Sequence, residues 1–349
     1  MSDDDVPDDS RGQTQDTMRE RAEASTRKLW LLMTADRRLI TSGIVGFLFA
    51  GVVIGGILHP TDAHTLIADG DPMETLAQAL VGSTVTGVTL VLTLSQLVLS
   101  QEQGAVGDQR NRMEEAMSFR SDVAELLEEP VSPTEPSAFL RALVQATQRR
   151  AEEVESAAEG LDQEVTERLT EYTRGVQENS QGVRESLDGA NFGEFDVIRA
   201  ALDFNYSWKL YAARKLRADY EDRLTDHAID RLEALSSVLE LFGPAREHFK
   251  TLYFQWELID LSRSILWASL PSLLVSMWAL LFFDATVMAD TLLGIPLSLL
   301  VTAGVVAIAL LPFAVLLAYI LRIVTVTKRT LSIGPFILRE TDRNAEFED

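Results

Sequence analysis

Cysteine is absent from this chain of 349 residues, and lysine is scarce, with 5 Lys against 26 Arg. The absence of cysteine excludes disulfides, cysteine-based zinc sites and cysteine nucleophiles. Basic residues are outnumbered by acidic ones, which leaves a net charge of −22. Such a surface repels phosphate backbones, so we expect no nucleic acid partner.

Charged residues and histidine are also missing from four long apolar segments, at residues 39–58, 75–101, 264–283 and 292–321. A helix of about 20 residues crosses a hydrocarbon core of about 30 Å. The sequence therefore predicts an all-α polytopic membrane protein with four transmembrane helices, in two hairpins at 39–101 and 263–322. The lack of ionisable groups in these segments argues against a proton-coupled carrier.

The short connections at residues 59–73 and 284–290 contain acidic residues but neither lysine nor arginine. Basic residues lie instead on the opposite flanks of the four segments. The positive-inside rule then predicts a multi-pass protein of the cell membrane with both termini and residues 102–262 in the cytoplasm.

Between the second and third segments, apolar residues recur at helical spacing, so residues 102–262 are expected to form a cytoplasmic helical domain. Residues 137–242 read as an antiparallel hairpin of two long helices, about 70 Å in length if unbroken, with a turn at 189–193. Gly243 and Pro244 are expected to end the second helix. Residues 1–15 predict a disordered acidic tail, 16–38 an interfacial amphipathic helix and 323–349 a cytoplasmic tail.

The second apolar segment carries a polar stripe at alternating steps of three and four residues, which places its members on one helix face. The stripe consists of Thr86, Thr89, Thr93, Gln96 and Ser100. It either lines a pore or packs against another helix, since hydroxyl and amide side chains do both in membranes. Gly104 and Gly107 follow it and form a candidate hinge. Asp71, Pro72 and Glu74 are expected to cap and start this helix.

Sequence motifs for catalysis or nucleotide binding are missing, including GxxxxGK[ST], GxGxxG after a strand, HExxH and GxSxG. His59, Asp62, His64, Asp69 and Asp71 lie in one connection but match no metal-ligand spacing. We therefore expect no enzyme, no catalytic residue, no cofactor and no metal.

Two functions remain open. One is an oligomeric ion channel lined by the polar stripe, with acidic outer loops that favour cations near the mouth. The alternative is a membrane-anchored coiled-coil scaffold or sensor whose cytoplasmic hairpin binds a protein partner. Both readings imply contact with lipid, and the channel implies a homo-oligomer.

The run LVLTLSQLVLSQEQGAVGDQRNRMEEAMSFR, at residues 90–120, joins the second apolar segment to the following helix. It resembles uncharacterised four-span integral membrane proteins of haloarchaea. The acidic, lysine-poor composition is similar to that of proteins from salt-in halophilic archaea. The resemblance implies no activity and transfers no functional residue.

Overall fold

The computed structural model describes residues 35–69, 71–190 and 195–330. The predicted acidic tail, nearly all of the predicted interfacial helix and most of the C-terminal tail lie outside the described residues. The helices are α1 Arg37–Leu58, α2 Ala63–Ala68, α3 Pro72–Glu102, α4 Val106–Leu127, α5 Pro136–Ala157, α6 Gln163–Leu187, α7 Phe195–Leu202, α8 Tyr206–Asp219, α9 Asp226–Phe282, α10 Leu297–Ala309 and α11 Leu311–Thr330. The prediction of an all-α protein is confirmed.

Three helices, α1, α3 and α9, are long and apolar enough to cross a membrane. The number of candidate spans rises to four if α10 and α11 are counted together, and these two helices meet at a bend of 48°. Pro312 explains the bend because it has no N–H to offer the carbonyl of Ile308, four residues earlier. The regular helix therefore ends at Ala309 and restarts at Leu311.

The predicted start of the fourth span at residue 292 is wrong. Thr291–Leu292 and Ile295–Pro296 form two short antiparallel strands, β1 and β2, with Leu292 opposite Ile295. Leu293 and Gly294 form the turn at φ values of 58° and 79°, as a two-residue hairpin of this kind requires. The helix begins only at Leu297, because the hairpin uses the residues before it.

The chain divides into two compact units. Their described parts are residues 105–190, 195–253 and 326–330, called the helical unit, and residues 35–69, 71–104 and 254–325, called the membrane unit. Helices α9 and α11 contribute residues to both. The main segment of the helical unit, residues 105–253, has bounds close to those of the predicted domain 102–262. The cytoplasmic location of this domain stays a prediction.

The two long helices of the predicted hairpin at 137–242 are not present. Residues 137–187 form α5 and α6, which pack against each other, and residues 195–242 are divided among α7, α8 and the start of α9. Gly160 makes the turn between α5 and α6 at a φ of 90°, and the Asp162 carboxylate accepts a hydrogen bond from the Val165 N–H to start α6. Because of such local turns, these residues form a bundle of shorter helices instead of the predicted hairpin. The bundle has an apolar core that includes Leu140, Leu143, Val144, Leu169, Leu235 and Phe242.

The prediction that Gly243 and Pro244 end a helix is also wrong, because α9 runs through both residues. A Cβ at Gly243 would lie 2.8 Å from Cε2 of Tyr206, so glycine is needed there for close approach of the ring. The ring centroids of Tyr206 and Phe242 lie 6.0 Å apart, and the Arg246 guanidinium lies 4.8 Å from the centroid of Tyr206. These contacts hold the helix on both sides of Pro244.

In the membrane unit, one side of α3 packs inward at two levels. Met73 and Ala77 form an apolar cluster with Ala279 of α9 and Val305 of α10. Further along the helix, Val91 packs with Leu261 and Ile265 of α9 and Tyr319 of α11. Helix α1 packs against α10. These contacts determine which side of α3 remains exposed.

Candidate functional site

The polar stripe of α3 lies on the exposed side of the helix. All five stripe residues, Thr86, Thr89, Thr93, Gln96 and Ser100, are exposed. At 100° per residue, this side points away from the side that contains buried Val91. Within the described chain, the stripe is therefore not the packing surface of α3.

The hydroxyl groups of the stripe donate their protons to carbonyl groups of their own helix. Thr86 donates to Gly82 O at 2.9 Å, Thr89 to Val85 O at 2.9 Å and Thr93 to Thr89 O at 3.0 Å. A hydroxyl oxygen has one proton and two lone pairs, so the outward side of each group is an acceptor. The stripe thus presents oxygen lone pairs to its surroundings.

The polar groups that do pack within the membrane unit are different residues. The hydroxyl oxygens of Thr84 and Ser272 lie 2.9 Å apart, and Ser272 donates to the carbonyl of Ala309 at 2.6 Å. Ser95 makes a hydroxyl contact with Ser262 on the same inward side of α3. Thr84 and Ser95 were not predicted from the sequence, because the spacing of three and four residues that defines the stripe selects only one of the two polar sides of the helix.

A small cavity of about 30 Å³ lies beside the bend between α10 and α11. Space of this size holds about two water molecules. It is lined by Ser83, Thr84, Gly87, Ile265, Ala309, Leu310, Pro312, Phe313 and Leu316. Most of this lining is apolar, so the cavity offers too few oxygen ligands for a dehydrated ion.

A buried ionic cluster ties the start of α1 to α9 and α11. Arg37 forms an ion pair with Glu257, which is 3% exposed, and its guanidinium lies 4.5 Å from the ring centroid of Tyr319. Arg322, 7% exposed, donates to the carbonyl of Ala35. Removing one partner of a buried ion pair leaves an uncompensated charge, so we interpret this cluster as structural.

The residues proposed as a hinge lie at the junction of α3 and α4. Gly104 is in the non-helical segment between Glu102 and Val106, and Gly107 is in the first turn of α4. Apart from its chain neighbours and the backbone of its own helix, no described atom lies within 4 Å of a Cβ built at Gly107. The helix interruption agrees with the expected position, and bending there stays a prediction.

The start of α3 differs from the expectation in one respect. Pro72 is its first residue and Glu74 lies in its first turn, but Asp71 adopts a left-handed conformation with a φ of 51° and makes no side-chain cap.

In the same connection, Asp62 instead caps α2 by accepting from the Thr65 N–H at 3.1 Å. His64 Nδ1 lies 3.1 Å from the hydroxyl oxygen of Ser298. Within the described residues, these side chains do not form a cluster of three or more metal ligands.

A buried polar network lies in the described part of the helical unit. The Tyr172 hydroxyl donates to the carbonyl of Lys209 at 2.8 Å, and Lys209 Nζ donates to Asn179 Oδ1 at 2.8 Å. Asn179 in turn donates to the carbonyl of Asp203 at 3.2 Å. Burial raises the pKa of Tyr172, so its hydroxyl stays protonated and acts as a donor. These bonds join α6 to α8 and the segment before it.

The whole chain, residues 1–349, matches the model of a protein family described as a family of unknown function, DUF7972. The chain belongs to this family. No curated protein and no solved structure is significantly similar to it. The resemblance to an uncharacterised family is thereby confirmed.

Membership of DUF7972 brings no activity with it, because the family is defined without one. A functional conclusion therefore rests on the side chains of this chain. The α3 stripe turns five polar side chains outward from a helix that is long and apolar enough to cross a membrane.

Proposed function

We propose that this protein is an oligomeric ion channel in which the α3 stripe of several copies surrounds a pore. The observation that carries the proposal is the exposure of Thr86, Thr89, Thr93, Gln96 and Ser100 on the side of α3 opposite to its packed side. Polar groups facing lipid tails lose their hydrogen bonds to water, so such a face is more stable against water or another helix. A ring of copies with a water-filled centre satisfies this requirement.

The permeant ion proposed is a cation. The stripe hydroxyls donate to their own helix and turn lone pairs outward, and oxygen lone pairs replace the water around a cation. The connections at 59–73 and 284–290, proposed to be outside the cell, add five Asp side chains and neither lysine nor arginine. Their negative potential raises the local concentration of cations at the mouth.

The alternative function, a membrane-anchored coiled-coil scaffold or sensor, is less well supported than the channel. It depended on a long cytoplasmic arm, whereas residues 137–242 contribute four helices and the start of α9 to a compact bundle. The bundle still offers a surface for a partner, but the structure distinguishes no part of residues 137–242 as a binding arm. The channel is thus the better supported proposal.

Cysteine scanning tests the pore directly, because the chain has no native cysteine. Single cysteines at positions 86, 89, 93, 96 and 100 are treated with a water-borne, membrane-impermeant thiol reagent in a lipid bilayer that contains the full-length protein. We expect modification at each position together with a change in conductance. Leu94→Cys and Leu99→Cys are matched controls, since both side chains are exposed on α3 but lie about 100° or more from the centre of the stripe.

Modification confined to the stripe, with conductance changed at the same positions, supports the pore. If all five stripe cysteines remain inert, or if the bilayer shows no conductance with folded protein present, the channel proposal fails. Equal reaction at positions 94 and 99 also contradicts it, because the reagent then does not distinguish a pore from a generally accessible helix.

A further inference from the structure

Three buried or half-buried charges lie together at the end of the membrane unit where α1 begins. Arg37 and Glu257 form an ion pair, so these two charges compensate each other. The third charge belongs to Arg322, which is 7% exposed and donates from one Nη to the carbonyl of Ala35. Within the described residues, no carboxylate is in ion-pair contact with Arg322, and its buried Nε has no hydrogen-bond partner. One positive charge of the cluster is therefore left without a counter-charge.

The guanidinium of Arg322 lies at the N-terminus of α1. Its acceptor, the carbonyl of Ala35, belongs to the residue two positions before Arg37, where the helix starts. The first N–H groups of a helix and its dipole stabilise a negative group at this end. The exposed carboxylate of Asp36 accepts from the Arg38 N–H at 2.9 Å, but it does not form an ion pair with Arg322. A buried cation and a helix N-terminus, two independent features, thus favour an anion at the same place.

Charged residues resume along the candidate spans at this end of the membrane unit. Arg37 and Arg38 directly precede the uncharged residues 39–58, and Arg322 directly follows the uncharged residues 297–321. Lipid headgroups lie at this level, just outside the hydrocarbon core. Within the membrane unit, α1 with its cap, α9 and α11 carry four arginines and three acids, namely Arg37, Arg38, Arg263, Arg322, Asp36, Glu257 and Asp260. These helices therefore have an excess of one positive charge, in a chain whose net charge is −22.

We propose that Arg322, together with Arg38, binds the phosphate group of an anionic membrane lipid at the start of α1. A guanidinium presents paired N–H donors that match two oxygens of one phosphate. Arg38 is exposed and forms no ion pair with the described residues, so its charge is available to the same ligand. Basic pockets between transmembrane helices recognise lipid headgroups in this way.

The surface beside this site favours a lipid over free phosphate. Leu39 follows Arg38 directly and is 54% exposed, and Leu321 directly precedes Arg322 and is 37% exposed. Exposed apolar side chains next to the two arginines give the acyl chains of a lipid a surface to cover, whereas inorganic phosphate leaves them in water. The site does not depend on the proposed channel, because it uses none of the α3 stripe residues.

Native mass spectrometry of the full-length protein tests this site. The protein in a neutral detergent is titrated with phosphatidylglycerol, and the fraction of chains that retain a lipid gives the apparent affinity. We expect Arg322→Gln to bind about tenfold more weakly than the wild type, because hydrogen bonds between charged groups are lost. Arg322→Lys keeps the charge and is expected to lose less.

Two further variants make the comparison specific. Arg38→Gln changes an exposed side chain without disturbing the buried charges, and we expect a loss of several-fold. Arg263→Gln is the matched control and is expected to bind like the wild type. Arg263 is exposed at the same end of the membrane unit without an ion pair among the described residues, but it points about 120° away from Glu257 around α9.

Weaker binding by Arg322→Gln and Arg38→Gln, with unchanged binding by Arg263→Gln, supports the site. Equal affinity in all variants overturns it, and so does a loss in Arg263→Gln as large as that in Arg322→Gln, which indicates unspecific attraction to basic residues. If circular dichroism shows that Arg322→Gln does not fold, Arg38→Gln decides, and wild-type affinity there overturns the proposal.

Two other ligands identify the source of the phosphate. Phosphatidylcholine retained as well as phosphatidylglycerol contradicts a site for an anionic lipid. Inorganic phosphate that displaces phosphatidylglycerol at equal concentration shows that the site takes free phosphate, which also overturns the lipid assignment. Conductance plays no part in these measurements, so their failure and the failure of the channel are separate results.

Discussion

At the scale of single residues, Gly243 shows how one residue type supports opposite interpretations. Glycine followed by proline is a typical helix-ending pair, so the sequence predicts a helix end at Gly243. In the fold, the missing side chain of Gly243 makes room for the ring of Tyr206, 37 positions earlier in the chain. Whether Gly243 and Pro244 end the helix depends on a contact with a residue distant in sequence. The local sequence pattern therefore does not predict it.

We predict that Gly243→Ala destabilises the helical unit by about 1–3 kcal/mol, the range for an overpacked core. The new methyl carbon would lie 2.8–2.9 Å from three atoms of Tyr206, and that ring is confined by Phe242 and Arg246. Thermal unfolding followed by circular dichroism in detergent measures the loss.

Gly175→Ala is the matched control for this substitution. Gly175 lies inside α6, and a Cβ built there meets no described atom within 4 Å beyond its chain neighbours and its own helix backbone. Alanine there is therefore expected to leave stability unchanged or raise it by up to about 1 kcal/mol. A melting temperature for Gly243→Ala equal to that of the control would contradict the tight contact.

At the scale of elements, the sequence predicted where apolar helices lie better than where helices end. The expected segments 39–58 and 75–101 correspond closely to Arg37–Leu58 and Pro72–Glu102, because uniform apolar composition dominates the signal. The failures occur where one residue changes the backbone direction, as Gly160 does between α5 and α6. The positions of the α3 stripe were predictable from spacing, whereas the inward pair Thr84 and Ser95 needed the neighbouring helices.

Helix α5 supplies a prediction that depends on pH. Its first turn is capped by Glu135, whose carboxylate accepts from the N–H groups of Ser137 at 3.0 Å and Ala138 at 2.6 Å. Slight burial raises the pKa of the Glu135 carboxyl, but the hydrogen bonds from Ser137 and Ala138 outweigh it and hold the pKa below the ordinary value of 4.5. The ionised carboxylate therefore stabilises the folded state above that value, and this contribution disappears as the pH falls through the folded pKa.

We expect Glu135→Ala to lower stability at neutral pH by about 0.5–1 kcal/mol, the lower part of the range for caps because the carboxylate is exposed and screened. The stability difference between the variant and the wild type should have its full size at neutral pH and fall close to zero below the pKa of Glu135 in the folded state. Unfolding midpoints along a pH series measure it. Glu135→Gln keeps an acceptor oxygen and should show a smaller deficit with little pH dependence. A deficit for Glu135→Ala that stays constant into acid would rule out the charged cap.

At the scale of the whole molecule, the acidic charge is concentrated in the part that folds outside the apolar segments. Residues 105–253 contain 30 acidic and 18 basic side chains. Several of the basic ones are committed to ion pairs, such as Arg223 with Asp162 and Glu164, and Arg150 with Glu128 and Glu153. The remaining acids repel one another, which favours the expanded unfolded chain.

Salt should therefore stabilise this protein. Raising KCl from about 0.1 M to about 1 M shortens the screening length from about 10 Å to about 3 Å, which removes most repulsion between separated surface acids. We expect the melting temperature in detergent to rise by several degrees.

A variant with Glu159→Gln, Glu178→Gln, Asp222→Asn and Asp230→Asn should melt higher at low salt and gain less from added KCl, because these exposed acids are part of the repulsion. The surface ion pairs weaken in the same salt and act in the opposite direction. A melting temperature that falls with KCl would show that those pairs outweigh the repulsion, and the composition would then not be an adaptation of this fold to salt.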